Sequence, residues 1–409
     1  MAWEAQLIFP CSASIIHHFH LGRTPLNARN SDIELLRGIA VIYVVVFHAY
    51  GNLIPWRTPE LTLLFSYFGG WSGVDLFFVI SGFVIARTLL PRLAACSTRE
   101  QYWVTSIAFW IRRYWRLLPS AWLWIAIVLV CSVLFNSSGA FGSFKLNFEG
   151  GLSALLQVAN LHLAATFGTP GGSGALFHMW SLSLEEQFYL LLPLLVLLSG
   201  RWLPYILGAL VMLQLMSTRS GLYEMLLRTD GILLGVLLAI FSRTDSYRSL
   251  NPTWLKAIGI LKYPLLGLLF LALAVLGSNR LTAISHAVSL ITLVSVTLVF
   301  LASYDEDYLM RKGWLKNLFV WVGARSYAIY LIHIPAFYMT REIWFLIGNP
   351  ASPKFNPAYI DQLIITATVL ILVLSELNYR FIEQPLRLKG RNISKKYQEQ
   401  HGEHQPQQP

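Results

Sequence analysis

The chain has 409 residues, of which 55% are hydrophobic and only 13% charged, and its mean hydropathy is +0.54. A soluble protein of that length cannot hide so much apolar surface, so the composition excludes one and fits a polytopic membrane protein. The formal charge of +10 comes from Lys and Arg set beside apolar segments, which points to topology and anionic headgroups and away from nucleic acid.

Residues 1–30 hold His17, His18 and His20 but no basic segment followed by a cleavable apolar region. They read as a disordered cytoplasmic leader, with the first span itself directing insertion. Ten apolar stretches follow, near 37–54, 70–90, 117–135, 179–199, 203–217, 225–242, 263–278, 283–303, 318–338 and 361–381. They predict an all-α fold of about ten transmembrane helices, the fifth and sixth being short. The connection between spans two and three carries Arg87, Arg92, Arg99, Arg112, Arg113 and Arg116, whereas the 136–178 loop offers only Lys145. The loops after spans six and eight are again basic, so even-numbered spans run inward and both termini are cytoplasmic. The tail over 389–409 is polar, low in complexity from about 391, and expected to be disordered. Cys11, Cys96 and Cys131 are too few and too scattered for a disulfide framework or a metal site, and no metal is expected.

Arg37 and His48 share the first span. Eleven positions at about 100° per residue return the second side chain to within roughly 20° of the first, with a rise of about 16 Å. An ionisable ring at that depth is costly in lipid and must face protein or a water-filled cavity. Threading the other spans puts Asp75, Glu185, Glu186, Asp230 and His333 in the same outer-middle band. Several such groups converging at one depth predict a polar chamber, open below and above. Single buried polar residues also serve helix packing, and that reading suits Gln187 and Ser183. Glu185 and Glu186 are adjacent and point about 100° apart, so one faces the cavity and Glu185 is favoured. Asp75 can orient an imidazole or pair with an Arg near the outer surface.

The inner end of span three reads PheTrpIleArgArgTyrTrpArgLeuLeuPro. Arg113 and Arg116 lie three apart on one helix face. Guanidinium forks suit phosphate oxygens and aromatic faces suit a base, while the same composition also suits an interfacial anchor. Arg37, a further cation at that level, favours phosphate.

These segments together resemble the membrane acyltransferase family 3, which includes O-antigen and exopolysaccharide O-acetylases. The matching stretches are GluLeuLeuArgGlyIleAlaValIleTyrValValValPheHis, GlyValAspLeuPhePheValIleSerGlyPhe, ArgArgTyrTrpArgLeuLeuPro and TrpSerLeuSerLeuGluGluGlnPheTyr. ArgThrAspGlyIleLeuLeuGly, SerTyrAlaIleTyrLeuIleHisIlePro and TyrArgPheIleGluGlnPro complete the set, in the family's order across roughly 31–388. The resemblance implies that His48 is the essential catalytic group, and that Arg113 and Arg116, with Arg37, bind an acyl-CoA donor, acetyl-CoA by default. It places the family's acids on Glu185 and Glu186 and its Arg-x-Asp motif on Arg228 and Asp230. Glu185 and Asp75 are then candidates to fix the His48 tautomer, and Glu186, Arg228, Asp230 and His333 to bind the acceptor. The implied activity is O-acylation of a carbohydrate or lipid-linked glycan, at the bacterial inner (plasma) membrane. A macrolide-like acceptor, or a flippase for a lipid-linked sugar, are the alternatives. No second, extracytoplasmic transfer step is expected on this chain.

Overall fold

The computed structural model describes residues 30–169, 172–218, 222–278, 280–281, 286–348 and 355–402, and every regular element among them is helical. The leader over 1–29, with its histidines, and residues 403–409 lie outside the described residues. The first helices are α1 Ser31–Asn52, α2 Pro59–Tyr67, α3 Ser72–Ala94, α4 Arg99–Leu134, α5 Phe144–Leu155 and α6 Ala159–Thr166. Next come α7 Trp180–Ser199, α8 Leu203–Met216, α9 Leu222–Leu226, α10 Asp230–Phe241, α11 Asp245–Ser249 and α12 Trp254–Ala257. The last are α13 Lys262–Leu276, α14 Ala287–Ser303, α15 Trp314–Ala324, α16 Ser326–Ile347, α17 Ile360–Asn378 and α18 Gln384–Gly402.

Each expected span overlaps a helix, but the expected count of ten is not reached. Among the described residues, six stretches are long and apolar enough to cross a bilayer, or seven if the pair α15–α16, bent by 73°, is one span. One of the six, Gly174–Met216, contains both α7 and α8, while α10 and α14 are apolar but short. The bend falls at Arg325, whose guanidinium lies between the rings of Trp321 and Tyr379 at 4.2 and 4.6 Å and binds Glu376.

Close helix approach uses small residues, as segment two suggested. A Cβ at Gly82 of α3 would stand 2.0 Å from the Ile232 carbonyl oxygen, and one at Gly235 of α10 2.2 Å from that of Val79. Only bare backbone fits there, and the contact draws α3 and α10 together.

The stretch over 136–178, expected as an outer loop, carries a helical hairpin among its described residues. Its two short helices, α5 and α6, meet at a tip where Gln157 has φ 58°. Ala154 and Gln157 at that tip line a small cavity with Ala121 of α4, thirteen residues and about 20 Å down from the α4 terminus. Backbone polar groups at such depth need protein partners. Gln187 Nε2 donates to the Gln157 carbonyl at 2.7 Å, and Ser183 Oγ accepts from the Ala159 N–H at 3.3 Å. Gln187 and Ser183 thus serve packing.

The expected disordered tail is also corrected. At 36 residues, α4 measures about 54 Å, well beyond the roughly 30 Å of hydrocarbon. Its first half carries α18, which continues to Gly402. Ser394 accepts from Arg112 Nη1 at 2.6 Å and donates to the Ala108 carbonyl at 3.0 Å, and Lys389 sits 4.7 Å over the Trp115 ring.

Candidate active site

α1 unwinds one residue past His48's turn. Tyr50 has ψ 121° and Gly51 has φ 87°, a backbone shape that glycine adopts without strain. The carbonyls released there find partners. Asn52 Nδ2 donates to the His48 carbonyl at 2.8 Å, and Tyr338 Oη donates to Asn52 Oδ1 at 2.7 Å. The half-buried His48 is therefore held against α16 at the last regular turn of its helix.

Its ring meets His333 of α16. His48 Nδ1 and His333 Nε2 lie 2.9 Å apart, with the rings near-parallel at 17° and centroids 5.1 Å apart. His333 Nδ1 lies 2.7 Å from the Tyr330 carbonyl oxygen. A third imidazole, the fully buried His178, stands edge-on to His333 at 5.2 Å. Pro335 inside α16 has no N–H, which frees the Leu331 carbonyl beside His178. His178 has no role in the sequence-based expectations. A histidine just before a helix start, at His48's depth, is the signal that was present.

Next to this cluster lies a small cavity lined by Arg37, Arg113, Arg116, Glu185, Tyr189 and, on the side of His178, Ser181 and Tyr330. The Arg113 guanidinium rests on Phe109 and Tyr189 at 5.6 and 5.5 Å. Tyr189 Oη donates to Glu185 Oε2 at 2.8 Å and meets Ser81 Oγ. Arg37 is 3.6 Å from Glu34. Among the described residues, neither Arg113 nor Arg116 is hydrogen-bonded or ion-paired to a carboxylate, and the buried Arg116 Nε has no partner at all. Cations enclosed in protein are normally paired, so the cavity wall is complementary to an anion.

The continuous chamber expected from the sequence is divided. His48 is not on the wall of this cavity. Tyr330 is one of the residues lining it, its hydroxyl bonded to Ser181 Oγ at 2.6 Å and to the His178 carbonyl at 2.9 Å. Glu186 lines the smaller cavity under the hairpin tip, and Glu185 lines both.

Asp75 does not orient His48. Its carboxylate takes Arg228 Nε at 3.0 Å and Nη2 at 3.1 Å, and that guanidinium lies between Trp71 and Trp180 at 4.9 and 5.4 Å. The other sequence reading of Asp75, an arginine partner, is the one the geometry gives. Asp230 accepts from Thr292 Oγ1 at 2.8 Å, so Arg228 and Asp230 join α3, α10 and α14 and make no described contact with His48. Glu185 likewise fixes Tyr189, not the His48 ring. Both partners of the Asp75–Arg228 pair are 2% exposed, and truncating one leaves a buried charge alone. Asp75→Ala is expected to cost about 3–5 kcal/mol of stability. Thermal unfolding in detergent measures it, and an unchanged midpoint would contradict the assignment.

A family model described as an acyltransferase domain matches residues 30–376, and the chain belongs to that family, acyltransferase family 3, as its motifs suggested. It is 28% identical over 381 residues to the peptidoglycan O-acetyltransferase OatA of Listeria monocytogenes, covering 88% of this chain and 56% of that protein. It is 27% identical to the putative peptidoglycan O-acetyltransferase YrhL of Bacillus subtilis, with 88% and 55% covered. The O-acetyltransferase OatA of Staphylococcus aureus is 26% identical, with 88% and 57% covered. The chain thus spans about half the length of these curated relatives. No solved structure matches it.

Proposed function

We propose that this protein is an integral membrane O-acyltransferase that moves an acyl group, by default acetyl, from acyl-CoA to a carbohydrate hydroxyl. The observation that carries the reading is the cluster of three guanidinium groups, Arg37, Arg113 and Arg116, on one cavity wall, with neither Arg113 nor Arg116 in a direct carboxylate pair among the described residues. Guanidinium forks bind phosphate oxygens, so the phosphates of the donor lodge between Arg37, Arg113 and Arg116 at the cytoplasmic mouth. The pantetheine arm extends along the cavity toward Tyr330. Tyr330 lines the cavity and bonds Ser181 and the His178 carbonyl, so in this reading its side chain lies along the route of the thioester to His48.

At His48 the reaction balances simply. A neutral imidazole takes the proton of the acceptor hydroxyl as its oxygen attacks the thioester carbonyl. The C–S bond breaks, the thiolate of CoA leaves, and the proton on the imidazole goes to that sulfur. Ester and CoA are the products. The relatives named for peptidoglycan make a cell-wall glycan the first acceptor to try, beside O-antigen and exopolysaccharide. Both termini and the basic mouth lie in the cytoplasm in this reading, and the enzyme resides in the plasma membrane.

Purified protein in nanodiscs, given acetyl-CoA with and without soluble glycan, is expected to release free CoA thiol and form glycan ester only when acceptor is present. A flippase would leave the thioester intact. Failure to consume acyl-CoA with every acceptor class would end the reading.

A further inference from the structure

We infer that His333 is a positioning residue that, anchored by the Tyr330 backbone carbonyl, holds His48 in the tautomer whose Nε2 carries the free lone pair. The inference rests on the reading of His48 as the catalytic base and adds the group that aims it. A carbonyl oxygen accepts and never donates, so at 2.7 Å from the Tyr330 oxygen the His333 Nδ1 must carry the proton. In neutral His333 the Nε2 is then bare and only accepts. His48 Nδ1, 2.9 Å away, must therefore be the donor, which leaves its own Nε2 without hydrogen.

The arrangement is that of a base held by a third group, with an imidazole in the place usually taken by a carboxylate. It survives the reaction. When His48 Nε2 gains the hydroxyl proton, Nδ1 keeps its own and still donates to His333 Nε2. The relay also explains why Asp75 and Glu185 are free for other work. Tyr330 contributes twice, since its side chain lines the donor cavity while its carbonyl sets His333. The near-parallel ring geometry, at 17°, keeps the two nitrogens in line.

The test reads the tautomer directly. Nitrogen NMR of histidine-labelled full-length protein in lipid, without substrates, is expected to show His48 with a protonated Nδ1 and an unprotonated Nε2. His333→Phe keeps a ring but removes the acceptor. It should mix the His48 tautomers and lower kcat by about 10²–10³-fold with the donor KM unchanged. His333→Gln, whose Oε1 reaches the Nε2 position and accepts, should recover activity to within about tenfold of wild type. A resting His48 protonated on Nε2 overturns the inference, as does equal loss in the Phe and Gln variants with the tautomer unmoved. Because the spectrum needs no turnover, the two readings separate. The stated tautomer without acyl transfer sinks only the enzymatic reading, and transfer with the opposite tautomer sinks only this one.

Discussion

His48→Ala is expected to lower acyl transfer by at least about 10²–10⁴-fold, the contribution of a positioned general base, while the protein still inserts and folds. The variant loses one hydrogen bond to His333 and leaves that acceptor unmet, a stability cost of about 1–3 kcal/mol. α1 itself stays fixed, because Asn52, Tyr338 and Arg341 hold its end through backbone and side-chain bonds that His48's ring does not enter. The measurement is CoA release per turnover beside the unfolding midpoint of the same sample. Single-turnover work on the wild type then separates two routes. If His48 attacks the thioester itself, one CoA is released per protein without acceptor and the acyl label stays on the imidazole. If it acts as a base, neither occurs until a hydroxyl is supplied. Wild-type activity in His48→Ala would remove both.

How far the sequence reaches is set by what helical periodicity contains. It gives the face and depth of each side chain along its own helix, so Arg37 below His48, the helix class and the segments that overlap spans were all legible. It does not give which helices face each other across the bundle. Asp75 and Arg228 are 153 residues apart and His48 and His333 are 285 apart, and no period links such partners. The histidine band was visible, but the exchange of an expected carboxylate partner for an imidazole was not. The α5–α6 hairpin escaped because helices of 12 and 8 residues, with Lys145 and Glu149 on the first, look like loop to any test of spanning length. The tail misled differently. Its polarity suggested disorder, yet Gly390 and Ser394, one turn apart, form a narrow seam that α4 covers.

Arg113 and Arg116 should show opposite signs in activity and stability. Each phosphate contact of a guanidinium is a charge-assisted hydrogen bond worth about 1.5–3 kcal/mol, so Arg113→Ala or Arg116→Ala is expected to raise the donor KM by roughly 10–100-fold. Arg116→Lys should recover only part, since an ammonium keeps the charge and loses the fork. The ligand-free protein, however, gains. Neither arginine is directly paired with a carboxylate among the described residues, and Arg37, Arg113 and Arg116 repel one another, so removing one relieves that repulsion and breaks no direct ion pair, although Glu185, Glu186 and Glu383 feel these cations at longer range. The unfolding midpoint without ligand should hold or rise. Wild type should then be stabilised by added CoA, by about 2.7 kcal/mol at a hundredfold excess over Kd, and the double Ala variant should not. An interfacial anchor makes the contrary forecast. Arginines serving lipid headgroups would leave KM for the donor unmoved, give no CoA-dependent stabilisation in wild type, and lower stability when truncated, because their attraction to the anionic headgroups of the bilayer surface is then lost. The two sets of signs do not overlap, so a thermal shift with and without CoA decides between phosphate site and membrane anchor before any acceptor is known.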